Sequence, residues 1–513
     1  MARADYFERA IQAASHILGG LDQNSFLEKI DSHRVAIAFD ASVRGPEASA
    51  AIDLLIRLIA RFYPSITLTP LQEGCDDVLS DLKKLARQVN PKIAIARKLQ
   101  NAKDVIVVGN TPVPERTGPA PIYIGSDGWI SRLSRGGPIG SGGSHNPIGA
   151  GTAACLAAAN VFRGLFTNAS VDDEVTLSAL DLDPSNKLPP NPSIDGLDLE
   201  QVFLVGAGAI GNGFLWALSR SSLSGQLTVI EHDHVDLGNM QRYVLTLRKH
   251  ENKSKTELVE DLFQGHPGIS VSAVPKKWED FVGSLPEDQW LFERVVVALD
   301  SAEDRIGVQA SLPRWIVNGW TQKGEIGVSR HNFIGEEACM ACLYMPQGEA
   351  PHEDLLITNA LGFPQESLRE IRTMIETGQP LDQAFLAQVA EAKAVPLEKL
   401  LPYEGKSIRD LYTKAVCSGM VMELAHGPGI ARAEVPMPFQ SALAGILQAA
   451  SLIAHAGNLH LYPTITQIDL MRPFPSCRWF NRNEKKAVGR CFCEDSVYQE
   501  VYSQKYPTDS KRA

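Results

Sequence analysis

Residues 202–242 read VFLVGAGAIGNGFLWALSRSSLSGQLTVIEHDHVDLGNMQR. The run VFLV (202–205) is short, apolar and β-branched, as expected of a strand buried on both faces of a parallel sheet. Gly206, Gly208 and Gly211 follow at once as G-x-G-x-x-G, and a helical run extends from Ile210 to Leu223. In that pattern the first glycine makes the tight turn, the second lets backbone approach a phosphate, and the third lets helix and strand pack closely. A helix start in this position offers unpaired N–H groups to an anion. The second strand, LTVI (227–230), ends in Glu231, placed to hold ribose hydroxyls.

Working outward, Asp233, Asn239 and Arg242 complete the pattern E-x-D-x-V-x-x-x-N-x-x-R. A dinucleotide site has no use for this polar, cationic set directly after its ribose acid. A triphosphate does, because arginine clamps phosphate oxygens and asparagine donates to them. The stretch resembles the ThiF/MoeB/ubiquitin-activating superfamily, whose typical run is D-x-D-x-V-x-x-x-N-L-x-R-Q. Glu231 stands for the first Asp, Met240 for Leu and Tyr243 for Gln. The last change removes an amide, so the resemblance assigns Tyr243 no role.

The same alternation of strand and helix continues on both sides. VAIAF (35–39), ITL (66–68) and VIVV (105–108) read as strands around a helix at 48–63, but Asp40–Pro46 carries no glycine fingerprint. The expectation there is a Rossmann-like domain that binds no nucleotide. Residues 125–166 read as GSDGW, a glycine-rich loop (136–149) and an Ala-rich helix. Residues 181–196, DLDPSNKLPPNPSIDG, read as a linker. Beyond Leu197, strands are expected at 269–274, 295–299, 316–319 and 465–470, a polar helix at 253–265, a helical insertion over 349–410 and a buried helix at 435–457. The fold class is α/β, two Rossmann-like (ThiF-type) domains in one chain, the first inactive. Expected boundaries are 1–180, linker 181–196, 197–348, a cysteine-bearing helical insertion 349–434, and completion at 435–513. Two diverged α/β copies match the pseudo-dimer plan of ubiquitin-activating enzymes.

Adenylating a carboxylate requires ATP, Mg²⁺, and cations that stabilise charge on the phosphates. Lys255 opens the helix after Glu231, where the family carries its phosphate-contacting lysine, with Lys253 as a rival. Asp300 follows VVVAL, at the rim where open α/β sheets bind ligands. The run ALDSAEDR (298–305) resembles the family's A-L-D-N-x-x-x-R, in which that aspartate serves Mg²⁺-ATP; Asp300 also suits an N-cap for the next helix. Arg9, in DYFERAIQ, is similar to an arginine of the family's N-terminal helix, one residue out of register, and is a candidate for the arginine that the partner half supplies.

Cys339-Met-Ala-Cys342 and Cys491-Phe-Cys493 supply four thiolates, enough to close a structural, tetrahedral Zn²⁺ site. The family often has such a site; here the second pair is C-x-C, and Cys477 competes for a place. Among the remaining cysteines, Cys417 lies in the helical insertion, where thioester-forming members of the superfamily carry their nucleophile. Cys75 and Cys155 read as structural.

The chain has 513 residues, 44% hydrophobic and 21% charged, with a formal net charge of −11. That balance argues against broad nucleic-acid or anionic-membrane binding. Eight cysteines in this length are too sparse for a secreted disulfide scaffold and suit a reducing cytoplasm. The apolar helix at 441–457 carries Gln448 and His455 and reads as buried rather than membrane-spanning. The resemblance implies ATP-dependent activation of a ubiquitin-like protein, thioester capture by Cys417, and transfer to a ubiquitin-conjugating-enzyme-like partner. The nearest relatives on this reading are the BilD-type enzymes of bacterial conjugation operons linked to antiphage defence, acting as a monomeric pseudo-dimer or a higher oligomer. A sulfur-carrier adenylyltransferase is the alternative; an NAD-dependent oxidoreductase is disfavoured by Arg242 and Asp300, and a non-catalytic scaffold by the intact set of nucleotide residues.

Overall fold

The computed structural model describes residues 3–18, 23–99, 102–115, 118–167, 169–286, 289–345, 353–393, 395–412, 435–459, 464–474, 476–481, 485 and 491–507. Two compact units emerge, one made of Met1–Met345 with Val435–Ala513, the other of Pro346–Glu434.

The larger unit holds two sheets. The first contains β1 (Val35–Phe39), β2 (Ser65–Pro70), β3 (Ala94–Ala96), β4 (Asp104–Val108), β5 (Ile122–Asp127), β6 (Ile130–Ser134) and β7 (Glu174–Ser178). The second contains β8 (Asp198–Val205), β9 (Ser224–Ile230), β10 (Ile269–Val274), β11 (Arg294–Val297), β12 (Trp315–Thr321), β13 (Glu325–Asn332), β14 (Ile465–Asp469) and β15 (Arg478–Asn481). Their orders are β3-β2-β1-β4-β5-β6-β7 and β10-β9-β8-β11-β12-β13-β14-β15. Counted within each half, both run 3-2-1-4-5-6-7. Pairing is parallel among the first five strands and antiparallel beyond, in both sheets. Two Rossmann-like halves in one chain are therefore observed directly, the second extended by β15.

Equivalent helices repeat as well. Pro46–Phe62 and Ala209–Leu218 each follow the first strand of their half, and Ile148–Phe166 and Pro438–Ala456 each precede the seventh. The halves meet through these helices in one continuous apolar core. Trp216 is fully buried there and donates its indole N–H to Asp53 at 3.1 Å, while Phe162 and Phe439 pack with ring centroids 5.8 Å apart. Helices Ile148–Phe166 and Pro438–Ala456 are long and apolar enough to cross a membrane, and both are mostly buried inside the protein. Their apolar character is that of core helices.

Several elements end differently from the expectation. The helix after Gly208 stops at Leu218, not Leu223, because the serine-rich turn bonds back to it: the Ser219 and Ser221 hydroxyls donate to the carbonyls of Trp216 and Leu218. Strand β11 ends at Val297, so Asp300 sits in a loop three residues beyond it. Trp129 occupies the turn between β5 and β6, its indole donating to the Pro192 carbonyl at 2.8 Å. That bond, with Asn191 accepting from the Trp129 N–H at 3.0 Å, pins the 181–196 segment to the first half.

The smaller unit, taken by itself, is helical over Glu353–Leu361, Leu368–Thr377, Gln383–Lys393 and Ile408–Leu411. Its own core includes Ile357, Ile371, Phe385, Leu386 and Leu411. It enters the chain between the sixth strand of the second half and the helix that follows. The matching place in the first half holds the glycine-rich loop 135–147. Cys417 lies outside the described residues.

Candidate nucleotide site

The site lies at the C-terminal ends of β8 and β11, the crevice where a doubly wound sheet reverses its strand order. Gly206 has φ +95°, and a Cβ there would lie 2.6 Å from the Ala298 carbonyl oxygen. Only glycine lets β8 turn while the β11 loop passes this close. Gly208 caps the Ala209–Leu218 helix, and a Cβ on Gly211 would overlap the Gly206 carbonyl. Asn212 fixes the loop from behind, donating to the carbonyls of Ala207 and Gly208 at 2.9 Å each and accepting from the Leu245 N–H at 3.1 Å.

Glu231 is buried and braces this loop. It accepts from the N–H groups of Ala207 at 3.0 Å and Asp233 at 2.9 Å, and from Lys255 Nζ at 3.3 Å. Three of about four carboxylate lone-pair sites are thus occupied. Lys255 also reaches Asp233 at 2.9 Å. Burial lowers its pKa, but Tyr243, Glu231 and Asp233 outweigh that and hold it above the ordinary lysine value, so it stays charged. Burial likewise raises the Asp233 carboxyl, while Lys255 more than reverses the effect. Lys253 is exposed, two residues short of this network.

Asn239 turns its side-chain oxygen back onto the Asp236 N–H at 3.1 Å, and no described residue accepts from its amide. Arg242 donates to the Gly238 carbonyl at 3.3 Å and forms no ion pair among the described residues. Burial and nearby Arg9 pull its pKa down, against Tyr243 and Asp300. Arg9 comes from the first half's helix Phe7–Leu18, and its Nε would lie 3.2 Å from a Cβ on Gly238. Two guanidinium groups, one from each half, therefore converge on Gly238, an arrangement suited to a bound polyanion. Asp300 is exposed and within electrostatic reach of Arg242 and Arg305. It is not the N-cap of the next helix. Ser301 takes that role, accepting from the Asp304 N–H at 3.0 Å, which leaves the Asp300 carboxylate outside the cap.

Two features escaped the sequence reading. Tyr243 lies under both cations, its ring centroid 5.5 Å from Arg242 Cζ and 5.5 Å from Lys255 Nζ. Arg61, fully buried in the first half, donates to the carbonyls of Tyr243 (2.7 Å), Val244 (3.1 Å) and Thr246, and Arg57 adds a bond to Val244 at 3.1 Å. The first half thus holds the segment that follows Arg242. Arg61→Met would strand the Thr246 carbonyl and take one donor from those of Tyr243 and Val244, which keep other partners, at a cost of roughly 1–3 kcal/mol. A lowered urea midpoint of the full chain is the expected result, and an unchanged midpoint would show that the segment does not depend on Arg61. A cavity of 240 Å³ lies beside this segment, with Asn212, Tyr243, His250 and Lys255 in its wall.

The first half shows why its own crevice differs. Asp40 is buried at the end of β1 and accepts from the N–H groups of Ser42 at 2.9 Å and Asn110 at 2.6 Å, and from the Thr111 hydroxyl at 2.7 Å. A carboxylate is thus built in at these strand ends of the first half.

The four cysteines converge. Sulfur separations are 3.7 Å for Cys339–Cys342, 3.4 Å for Cys339–Cys491, 3.3 Å for Cys342–Cys491 and 3.5 Å for Cys342–Cys493. A tetrahedral zinc–thiolate site with bonds of about 2.3 Å has sulfur edges of about 3.8 Å, so the set fits. Cys477 is buried elsewhere, its carbonyl accepting from the Asp469 N–H, and does not compete.

With this geometry in hand, comparison with known proteins is direct. The model described as "ThiF family" matches residues 190–491, more than half of the chain. The chain belongs to the ThiF family. Nucleotide binding and adenylyl transfer are that family's activity class. A second model, "Prokaryotic E2 family C", matches residues 38–167 of the first half. The chain is 40% identical over 513 residues to the uncharacterized protein y4jF of Sinorhizobium fredii (strain NBRC 101917 / NGR234), covering 99% of this chain and 98% of that one. Two solved structures of E. coli MccB show weaker likeness. With MccA-N7isoASN, identity is 15%, the TM-score 0.37 and coverage 58% of this chain and 67% of that one. With AMPCPP and MccA, identity is 16%, the TM-score 0.34 and coverage 56% and 65%. Within the ThiF half stand the glycine loop, Glu231, Asp233, Asn239, Arg242, Lys255 and Asp300. Both thiols of the 38–167 match, Cys75 and Cys155, are buried, and burial pushes the Cys155 pKa well above its ordinary value.

Proposed function

We propose that this chain activates the C-terminal carboxylate of a ubiquitin-like protein. A carboxylate oxygen attacks the α-phosphorus of ATP, the bond to pyrophosphate breaks, and an acyl-adenylate forms. The observation that carries this reading is the approach of Arg9 and Arg242 beside Gly238. Neither a dinucleotide site nor a scaffold calls for two arginines brought together across the two halves, one of them without a carboxylate partner among the described residues. In this reading Arg242, Arg9 and Lys255 stabilise charge developing on the phosphates. Asp233 and Glu231 face the ribose, Asn239 donates to the phosphates, and Asp300 would hold Mg²⁺, which would neutralise the triphosphate. Zn²⁺ on Cys339, Cys342, Cys491 and Cys493 would be structural.

The second step is proposed for Cys417. Its thiolate attacks the acyl-adenylate carbonyl, AMP leaves, and a thioester remains for transfer to a conjugating-enzyme-like partner. A conjugation setting is supported by the name of the family matched at 38–167. Because Cys75 and Cys155 are buried, the acceptor is sought elsewhere, and Cys417 lies in the segment between the sixth strand and the helix Pro438–Ala456. We further place the chain among the BilD-type enzymes of antiphage conjugation operons, in the cytoplasm, with the inactive domain at 1–180 and the cysteine-bearing insertion at 349–434.

Cys417→Ala is expected to retain pyrophosphate exchange and lose the thiol-sensitive carrier adduct on non-reducing gels. An undiminished adduct in that variant would assign the nucleophile to another cysteine. Exchange without any adduct in the wild type would favour the sulfur-carrier adenylyltransferase.

A further inference from the structure

Tyr243 stands where the superfamily pattern has glutamine, and its surroundings give the aromatic ring a task. Its backbone is fully committed. The N–H donates to the Asn239 carbonyl at 3.0 Å, and the carbonyl accepts from Arg61 at 2.7 Å, the Thr246 N–H at 3.0 Å and the Thr246 hydroxyl at 2.7 Å. The side chain is 6% exposed, so its position is set by packing. Both phosphate-facing cations lie over its ring. At the far end, the phenol oxygen lies 3.4 Å from where a Cβ on Gly208 would stand. No described residue is hydrogen-bonded to that oxygen, although every other polar group of Tyr243 is satisfied. A hydroxyl left this way on a nearly buried residue, facing the start of a helix, has a donor to offer to an anion.

We propose that Tyr243 is a phosphate-binding residue of the site, its hydroxyl donating to a phosphate oxygen docked at Gly208. The inference rests on reading this crevice as a nucleotide site. The ring also gives the Arg242 and Lys255 charges an aromatic partner. In this chain a phenol would therefore supply a phosphate donor at a position where the superfamily pattern has an amide.

The test is equilibrium binding of Mg²⁺-ATP and of adenosine to the full chain, for the wild type, Tyr243→Phe, Tyr243→Gln and Arg242→Ala. Tyr243→Phe removes one oxygen and keeps the ring. A hydrogen bond to a charged group predicts roughly tenfold weaker ATP binding with adenosine binding unchanged. Tyr243→Gln, which restores an amide donor, is expected to bind ATP more tightly than Tyr243→Phe. Wild-type ATP affinity in Tyr243→Phe overturns the proposal, as does an equal loss for ATP and adenosine, which would mark a purely structural residue. If Arg242→Ala weakens ATP binding while Tyr243→Phe does not, the nucleotide site stands and the Tyr243 assignment falls. A wild type that binds ATP no better than adenosine overturns both.

Discussion

Cys339→Ser is expected to cost the larger unit its C-terminal anchor. The four sulfurs join the turn at 339–342 to the chain's last described segment. Helix Ser496–Lys505 docks through Tyr502 and Tyr506 in the apolar cluster that contains Cys339, Cys491 and Cys493. Lys505 adds bonds to the carbonyls of Ser311 at 2.7 Å and Leu312 at 3.3 Å. Metal-binding energy at a structural site becomes folding energy, about 10–16 kcal/mol for the whole site in isolated zinc-finger peptides, so loss of one ligand is expected to be a large effect here. Purified wild type is expected to contain one zinc per chain and to melt at a lower temperature after chelation. Cys339→Ser should be poorly soluble or melt early, whereas Cys477→Ser, outside the cluster, should keep its zinc. Wild-type protein without zinc, or with a melting temperature indifferent to chelation, would reject the site.

The second large effect is expected at Arg242 and Asp300. Removing one preorganised electrostatic group from a charged transition state costs on the order of 2–4 kcal/mol, or roughly 10²–10³ in rate. The fold should survive either change. Arg242 contributes one long hydrogen bond to Gly238, and Asp300 is exposed while Ser301 caps the helix. Arg242→Lys should recover only part of the activity, since an ammonium cannot hold a phosphate with two parallel donors. Arg242→Ala or Asp300→Ala with wild-type rates would remove these residues from the site.

Much of this arrangement was legible in the residues because it is written in local patterns. The alternation of apolar runs with helices gives both sheets, and G-x-G-x-x-G with the acid–Asn–Arg run marks the crevice after β8. C-x-x-C and C-x-C differ in spacing, but each presents paired thiols, and the fold brings the pairs together across 149 positions between Cys342 and Cys491. What stayed hidden depends on contacts distant in sequence. Arg61 acts through backbone carbonyls 182 to 185 residues away, which no side-chain pattern records. Arg9 is a candidate by resemblance, but its approach to Gly238 is a contact between the two halves that no local pattern records. Asp40 looked like an ordinary loop residue until its donors, Ser42, Asn110 and Thr111, were seen around it. Asp300 and Ser301 are adjacent residues that both suit an N-cap, and only the geometry distinguishes them. Tyr243 was set aside for lacking an amide, whereas its ring and hydroxyl take their meaning from Gly208, Arg242 and Lys255 in space.

The central claim is that the second half transfers an adenylyl group to a carrier carboxylate. Radiolabelled pyrophosphate exchange into ATP tests it most directly, using the full chain with a ubiquitin-like protein encoded beside it. The account predicts exchange that requires the carrier's free C-terminal carboxylate and falls by roughly 10²–10³ in Arg242→Ala. Exchange that is absent with every such carrier, or that persists unchanged when the carboxylate is blocked, would contradict it.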